Sequence, residues 1–360
     1  MNRHDKTYGL KLGSLLLAGV FCLGCHTAET PYGQNPDVTN DPVAVVSPTA
    51  IPAESEDVVV VDSPVSANVS SAMPTAAPTV TPEPTATPVP EPEGLIGWSV
   101  GGFVDRENTV HTETEYISDK LHITVTKIYD HDRFTRYVTY FVSDVYVRDI
   151  NCLRTYPATE FTSKEQKQFK RVHKIAESAN ALWAMTGDYC GHHTHSLIIR
   201  NGVVYDTKLY SDWDLLFLYT DGTMEVMKAK DYSADALRDD IWQAWQFGPS
   251  LLDSEGHAIS DFGNSKIKTF NPRSIFGYVE PGHYIFVTVE GRQNRYSGGL
   301  NLAECAELME SLGCVLAFNL DGGESAELYW NGGTYNQPCD GGRVLSDIIY
   351  LIDEDESETP

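Results

Sequence analysis

From about residue 97 onward, hydrophobic and polar positions alternate with a period of two, the pattern of strands buried on one face. Residues 120–129 set Leu121, Ile123, Val125 and Ile128 toward a core, and the β-rich run 137–147 predicts a strand with a bulge or bend. Asn201-Gly202 and Asp221-Gly222 each sit between two apolar runs, the signature of a two-residue hairpin turn. Residues 271–278 and 283–290 form another strand pair, joined near Pro281-Gly282, and further strands are expected at 181–186, 315–320 and 343–352. The period lengthens in two places. In 163–180 it gathers Phe169, Val172, Ile175, Ala176 and Ala179 on one helical face, with Ser163 as a cap. In 301–313 it gathers Leu302, Cys305, Ala306, Met309 and Leu312, between an Asn301/Glu304 capping box and Gly313. Residues 233–245 also read as a short helix.

The order strand 283–290, helix 301–312, strand 315–320 predicts a crossover between adjacent parallel strands. It would carry Glu290 and Asp321 to one edge, where open α/β sheets bind ligands. The expected fold class is therefore α/β: a mixed α+β domain with a central mixed sheet and flanking helices, spanning 95–352. Residues 95–160 would be a β-rich subregion.

Composition adds what lies before that domain. Arg3, Lys6 and Lys11 precede a short apolar run, Leu12 to Cys25, that is too short to span a bilayer comfortably. Residues 1–25 are expected to be a signal peptide or, with Cys25 as the lipidated residue, a lipoprotein signal. Residues 26–94 are rich in Pro, Thr and Ser and read as a disordered linker, and 353–360 as an acidic tail. The head would then lie on the extracellular face of the cytoplasmic membrane, tethered through its N-terminus or a lipid, or be secreted. Acidic residues outnumber basic ones 51 to 26, and no Lys or Arg occurs from residue 12 to 105. Such a balance argues against nucleic acid as a partner. Seven cysteines fall as two in the export segment and five in the folded part, where an exported location permits disulfides.

Candidate chemistry collects at strand ends. Asn319-Leu320-Asp321-Gly322-Gly323 carries an acid out of an apolar run into two glycines, followed by Ser325 and Glu327. Taken alone this is also what an Asx turn looks like. Glu290-Gly291-Arg292, Pro272-Arg273-Ser274 and Asp188 stand at comparable places. His192, His193 and His195 with Asp188 offer divalent-metal ligands without an HExxH spacing, and the carboxylates could hold a cation such as calcium. The sequence requires no cofactor, and the metal assignment stays open.

Taken in order, these segments resemble the phosphodiester glycosidase family, related to N-acetylglucosamine-1-phosphodiester alpha-N-acetylglucosaminidase. The resemblance runs roughly from 163 to 352. It is carried by residues 184–189, 196–204, 247–252 and 271–277, then Glu290-Gly291-Arg292, 297–304 and Asn319 to Ser325. Four places depart from the family's pattern: Thr186-Gly187 for Asn-Gly, Ser274 for the commoner threonine, Glu290 for the aspartate of Asp-Gly-Arg, and Glu324 with Ala326 within the glycine-rich run. The resemblance implies hydrolysis of a glycosyl phosphodiester or phosphate-linked glycan in envelope or extracellular glycan metabolism. Arg273 and Arg292 would hold the phosphate, arginine's planar fork matching its oxygens. Asp321 and Glu290 would act as nucleophile or general base around an oxocarbenium-like state. Ser325, Asn319, Gly322, Gly323, Asp188 and His195 would contact substrate. Two alternatives remain: an envelope glycan-binding protein without catalysis on the same scaffold, and a phosphodiesterase acting on cell-wall polymers.

Overall fold

The computed structural model describes residues 102–159, 169–190, 196–209, 212–233 and 237–353. The export segment, the linker, Ser163, His192, His193, His195 and all but the first residue of the acidic tail lie outside these. In chain order the strands are β1 (Val110–His111), β2 (Glu115–Ile117), β3 (Leu121–Asp130), β4 (Val138–Val147), β5 (Leu153–Pro157), β6 (Trp183–Thr186), β7 (Leu197–Arg200), β8 (Val203–Thr207) and β9 (Asp214–Tyr219). They continue as β10 (Met224–Lys228), β11 (Ile241–Phe247), β12 (Arg273–Glu280), β13 (His283–Val289), β14 (Leu316–Asn319), β15 (Leu328–Trp330), β16 (Gly333–Thr334) and β17 (Asp347–Leu351). The α-helices among the described residues are α1 (Val172–Ser178) and α2 (Leu302–Ser311).

The fold is mostly β, and the expectation of an α/β domain with a central mixed sheet is overturned. Three sheets form, ordered β1-β2-β3-β4-β13-β12-β14, β10-β9-β11-β7-β8 and β16-β15-β6-β17-β5. Every strand pairing in them is antiparallel. The misreading has a specific cause. β13 and β14 do run in the same direction with α2 between them, but the hairpin partner β12 is inserted between the two, antiparallel to both. A crossover that skips one strand looks the same in sequence as one that joins neighbours. The helix expected at 233–245 is likewise corrected. Its second half is the start of β11, paired with both β9 and β7. The spacing misled because this strand is buried on both sides, with Gln243 and Gln246 inside among its apolar residues. Gln243 is satisfied there by Thr155 Oγ1, which donates to its Oε1 at 2.7 Å, and by Asn201 Oδ1, to which it donates at 2.7 Å. β4 runs its ten residues without a register break, so the bend expected there is absent.

One face of the seven-stranded sheet packs against the other two sheets. Phe276 and Phe286 lie 4.3 Å apart by ring centroid, with Trp183 4.6 Å from Phe286 and Trp245 5.5 Å from Phe276. These four rings come from all three sheets, and burying each stabilises the junction by roughly 2–3 kcal/mol. Trp183 Nε1 also donates to Ser143 Oγ across it at 2.9 Å. The opposite face is covered by α2, whose Leu302, Cys305, Ala306, Leu308 and Met309 join Ile275, Val287, Val289 and Ala317 in a second core. α2 starts with the expected capping box, Asn301 accepting from Glu304 N while Glu304 accepts from Asn301 N. α1 packs on the third sheet through Val172, Ile175 and Ala176. Cys152, Cys190, Cys305, Cys314 and Cys339 are all buried thiols that form no disulfide.

Candidate active site

The site lies where β12 begins and β14 ends. Ile275 opposes Asn319, and the ladder continues past β14, with Leu320 N donating to Ser274 O at 2.8 Å and Gly323 N to Pro272 O at 3.0 Å. Side chains alternate across a strand, so Arg273 shares a face with Ile275, and Asn319 and Asp321 share one with Ala317. Ile275 and Ala317 both belong to the core under α2, which puts Arg273, Asn319 and Asp321 on that same face. The chain passes so close that a Cβ on Gly322 would stand 2.7 Å from Pro272 O, so glycine is required there by contact with backbone.

Around this corner is a cavity of about 420 Å³. Lys266, Arg273, Arg292 and Arg343 line it together with Asn271, Asn319, Asp321, Gly322 and Gly323, and Asp321 is the only carboxylate in the lining. Asp321 is buried and tightly held. Arg343 Nη2 donates to both its oxygens at 2.9 and 2.7 Å, Ser325 Oγ to Oδ2 at 2.6 Å, and Gly322 N to Oδ1 at 3.0 Å. Arg343 Nε donates in turn to Ser325 Oγ at 2.5 Å. Burial pushes the Asp321 carboxyl above the usual aspartate range, against the pull of Arg343, Ser325 and the Gly322 amide. Asn319 Nδ2 donates to Gly248 O at 2.9 Å, which leaves its buried Oδ1 as an acceptor with no partner.

The cations differ in how they are used. Arg273 is buried, and Nε and Nη2 donate to the carbonyls of Leu300, Ile267 and Thr269 at 3.1, 2.5 and 2.5 Å. It therefore fixes the loop before β12 as well as lining the cavity. Arg292 is exposed and donates from Nε and Nη2 to Asn271 Oδ1 at 3.2 and 2.8 Å. Lys266 has no hydrogen bond or ion pair among the described residues.

The structure thus gathers Arg273, Arg292, Asn319, Asp321, Gly322 and Gly323 about one cavity, with Ser325 beneath Asp321. Glu290 comes to the same end of the sheet but faces the other way. Val287 and Val289 point to the core under α2 while Phe286 points to the opposite core, and Glu290 falls in the phase of Phe286. Its carboxylate accepts from Gln337 N at 2.5 Å and Gln293 Nε2 at 3.2 Å, outside the cavity lining. Burial raises it from 4.5 to about 7, opposed by the Gln337 amide, Lys127, Gln293 and Tyr296. A folded-state value above the unfolded one means a stabilising contribution present below pH 4.5 and lost as pH rises through about 7. Glu290→Gln abolishes that loss, so its melting temperature relative to wild type should climb between pH 4.5 and 7. Thermal melts across that range check it, and a difference flat with pH would refute the assignment.

Asp188 belongs to a different place. It is fully buried beside Arg200, whose Nη2 lies 2.9 Å from Asp188 Oδ2 and 3.1 Å from Asp347 Oδ2. Asp188 also accepts from Cys190 N and Gln246 N, each at 3.0 Å. Asp188, Cys190 and Asp347 are close enough to one another for a metal, but the Arg200 guanidinium already supplies the positive charge between the carboxylates. Gly187 is explained here as well. A Cβ on it would meet Asp347 Oδ1 at 2.6 Å. Glu327, which follows the glycines, is buried and accepts from His173 Nδ1 and Thr334 Oγ1, each at 2.7 Å.

Lys266 and Arg343 are absent from the sequence-based site. Arg343 opens an apolar run and so reads as the first residue of a strand. The available signal is Gly341-Gly342 before it, a glycine-arginine step like Gly291-Arg292.

The cavity thus sets four cationic side chains around one buried, arginine-held carboxylate. Residues 179–352 match the model of the phosphodiester glycosidase family. The SPbeta prophage-derived uncharacterized protein YomE of Bacillus subtilis (strain 168) is 26% identical over 303 residues, covering 74% of this chain and 46% of its own length. The chain thus spans about half of that relative. Among solved structures, the catalytic domain of zebrafish N-acetylglucosamine-1-phosphodiester alpha-N-acetylglucosaminidase, auto-inhibited by its pro-peptide, superposes with a TM-score of 0.51. It is 18% identical and covers 65% of this chain and 83% of its own, a likeness of fold.

Proposed function

We propose that this chain hydrolyses a glycosyl phosphodiester, releasing free sugar and a phosphomonoester. The observation that carries this is the polarity of the cavity. Lys266, Arg292 and Arg343 offer only donors, whereas Asp321 and the unpartnered Asn319 Oδ1 offer only acceptors. A phosphodiester joined to a sugar has matching ends, an anion that accepts and hydroxyls that donate.

In this reading the cations hold the phosphate and draw off the charge that builds on it as the bond from the anomeric carbon to the phosphate oxygen breaks. Phosphate is a good leaving group already, so no acid is needed to protonate it. The electron pair leaves with that oxygen, a water oxygen bonds to the anomeric carbon in its place, and the proton that this water loses passes to the departing phosphomonoester or to solvent. Asp321, ionised and fixed by Arg343 and Ser325, faces the developing positive charge on the sugar. Glu290 has no part in this cavity's chemistry, because it turns to the other face of the sheet. The match of residues 179–352 to the phosphodiester glycosidase model supports the same reaction class.

Product analysis on a panel of glycosyl phosphodiesters tests the proposal. Free sugar with phosphomonoester supports it. Sugar phosphate would instead indicate phosphodiesterase action on cell-wall polymers, and saturable binding without turnover a glycan-binding role. We further propose that the reaction takes place outside the cytoplasmic membrane, on the strength of the basic and apolar N-terminal pattern ending at Cys25. The same assay on separated cell fractions tests the location, and activity confined to the cytoplasm would refute it.

A further inference from the structure

We propose that a second anion-binding subsite adjoins this cavity, so that the preferred substrate carries another negative group beyond the phosphodiester that is cleaved. The inference rests on the phosphodiester reading and adds a substrate class to it. A neighbouring cavity of about 340 Å³ meets the first at Arg292 and is lined by Arg136, Tyr137, Asn294 and Arg295 among others. Two arginines there are in opposite conditions. Arg136 is spent internally, paired with Glu304 and donating to Gly299 O, with its guanidinium 3.9 Å from the Phe270 ring centre. Arg295 is exposed and has neither ion pair nor hydrogen bond among the described residues. It also stands at φ +63°, a left-handed conformation uncommon for a side chain of its kind.

The chain as a whole carries a formal charge of -25, with acids outnumbering bases almost two to one. Against that background, Lys266, Arg343, Arg292 and Arg295 line two cavities that adjoin at Arg292 and whose linings contain one carboxylate, that of Asp321. Such a set of cations concentrates field on an anion that reaches both. Tyr137, 55% exposed in the lining of the second cavity and 4.5 Å by ring centroid from His131, offers an aromatic ring for a sugar face. Arg292 belongs to the phosphate end of the first cavity, so the second group lies on the aglycone side. Phosphate or carboxylate would serve equally, which makes the substrate a phosphate- or uronate-bearing oligosaccharide linked through the scissile diester.

The test uses the full chain and three substrates with one sugar phosphodiester and different aglycones: a neutral sugar, a sugar phosphate and a uronate. About a tenfold higher kcat/KM for either charged aglycone, abolished in Arg295→Glu and partly kept in Arg295→Lys, supports the subsite. A gain with only one of them identifies the anion. Equal kcat/KM for all three, or a preference that survives Arg295→Glu, overturns it. A second measurement does not depend on turnover. Calorimetry at fixed ionic strength should show tripolyphosphate binding about tenfold tighter than inorganic phosphate, with the advantage lost in Arg295→Glu and kept in Arg238→Glu, a charge reversal outside both cavities. Equal loss in both variants overturns the subsite. Selective tripolyphosphate binding with no cleavage of any diester would refute the hydrolytic reading and leave the subsite standing.

Discussion

Asp321→Asn is expected to lower kcat on a glycosyl phosphodiester by about 10³-fold or more while the protein stays folded. Loss of that size is typical when a group that stabilises charge only in the transition state is removed. Asparagine keeps the shape, and its single oxygen can still accept from the Gly322 amide, while its NH2 group replaces the oxygen that accepted from Ser325. It cannot oppose positive charge on the sugar, and it leaves Arg343 without its counter-ion. KM should change little, because the phosphate contacts of Lys266 and Arg292 remain. Steady-state kinetics, with circular dichroism to confirm the fold, check the outcome. Turnover within tenfold of wild type would remove Asp321 from the mechanism. The activity of the wild-type protein should also fall at low pH, as Asp321 takes up a proton, with a midpoint above that of an ordinary aspartate because burial raises it.

The second large effect concerns stability. Arg200→Met should destabilise the fold by about 3–5 kcal/mol, since it leaves two buried carboxylates without their cation. Arg200 stands on β7 and Asp347 on β17, so the same change cuts a tie between two sheets. The loss should depend on pH in a definite direction. Burial raises the Asp347 carboxyl, with Asp188 adding to the rise and Arg200 opposing it. The stabilising contribution of a raised carboxyl is present at low pH and lost as pH climbs through its folded value. Without Arg200 that folded value rises further, and the deficit should be larger at pH 8 than at pH 5. Urea unfolding at both values measures it. A loss below about 1 kcal/mol, or one that does not vary with pH, would show that the cluster contributes little.

Much of the strand pattern was legible because it rests on local chemistry. Asn201-Gly202 and Asp221-Gly222 do turn β7 into β8 and β9 into β10, and Asn301 with Glu304 does open α2. What could not be read was which strands become neighbours. No residue between 283 and 320 announces that β12 will occupy the space between β13 and β14. The α/β expectation followed from that gap, and so did the pairing of Glu290 with Asp321. The opposite orientation of Glu290 was within reach, however. Counting by twos from Val287 and Val289 places it off their face. Lys266 and Arg343 were harder, since each is a lone cation whose partners are fixed only by tertiary packing. The Asp188 cluster misled for a related reason. An acid after a strand looks the same in sequence whether it meets a ligand or, as here, a buried arginine.

The place of β17 bears on how such a protein becomes active. It is the last of the described strands, yet it sits between β5 and β6 inside its sheet, and Arg343 stands four residues before it begins. As the polypeptide lengthens from its N-terminus, every residue that lines this cavity up to Gly323 exists before the residue that clamps Asp321 has been made. A nascent or truncated chain lacking this strand has a gap in the middle of a sheet and an aspartate without its counter-ion. On the proposed hydrolytic function, competence would arrive together with closure of the sheet, and turnover would report that the domain has finished folding.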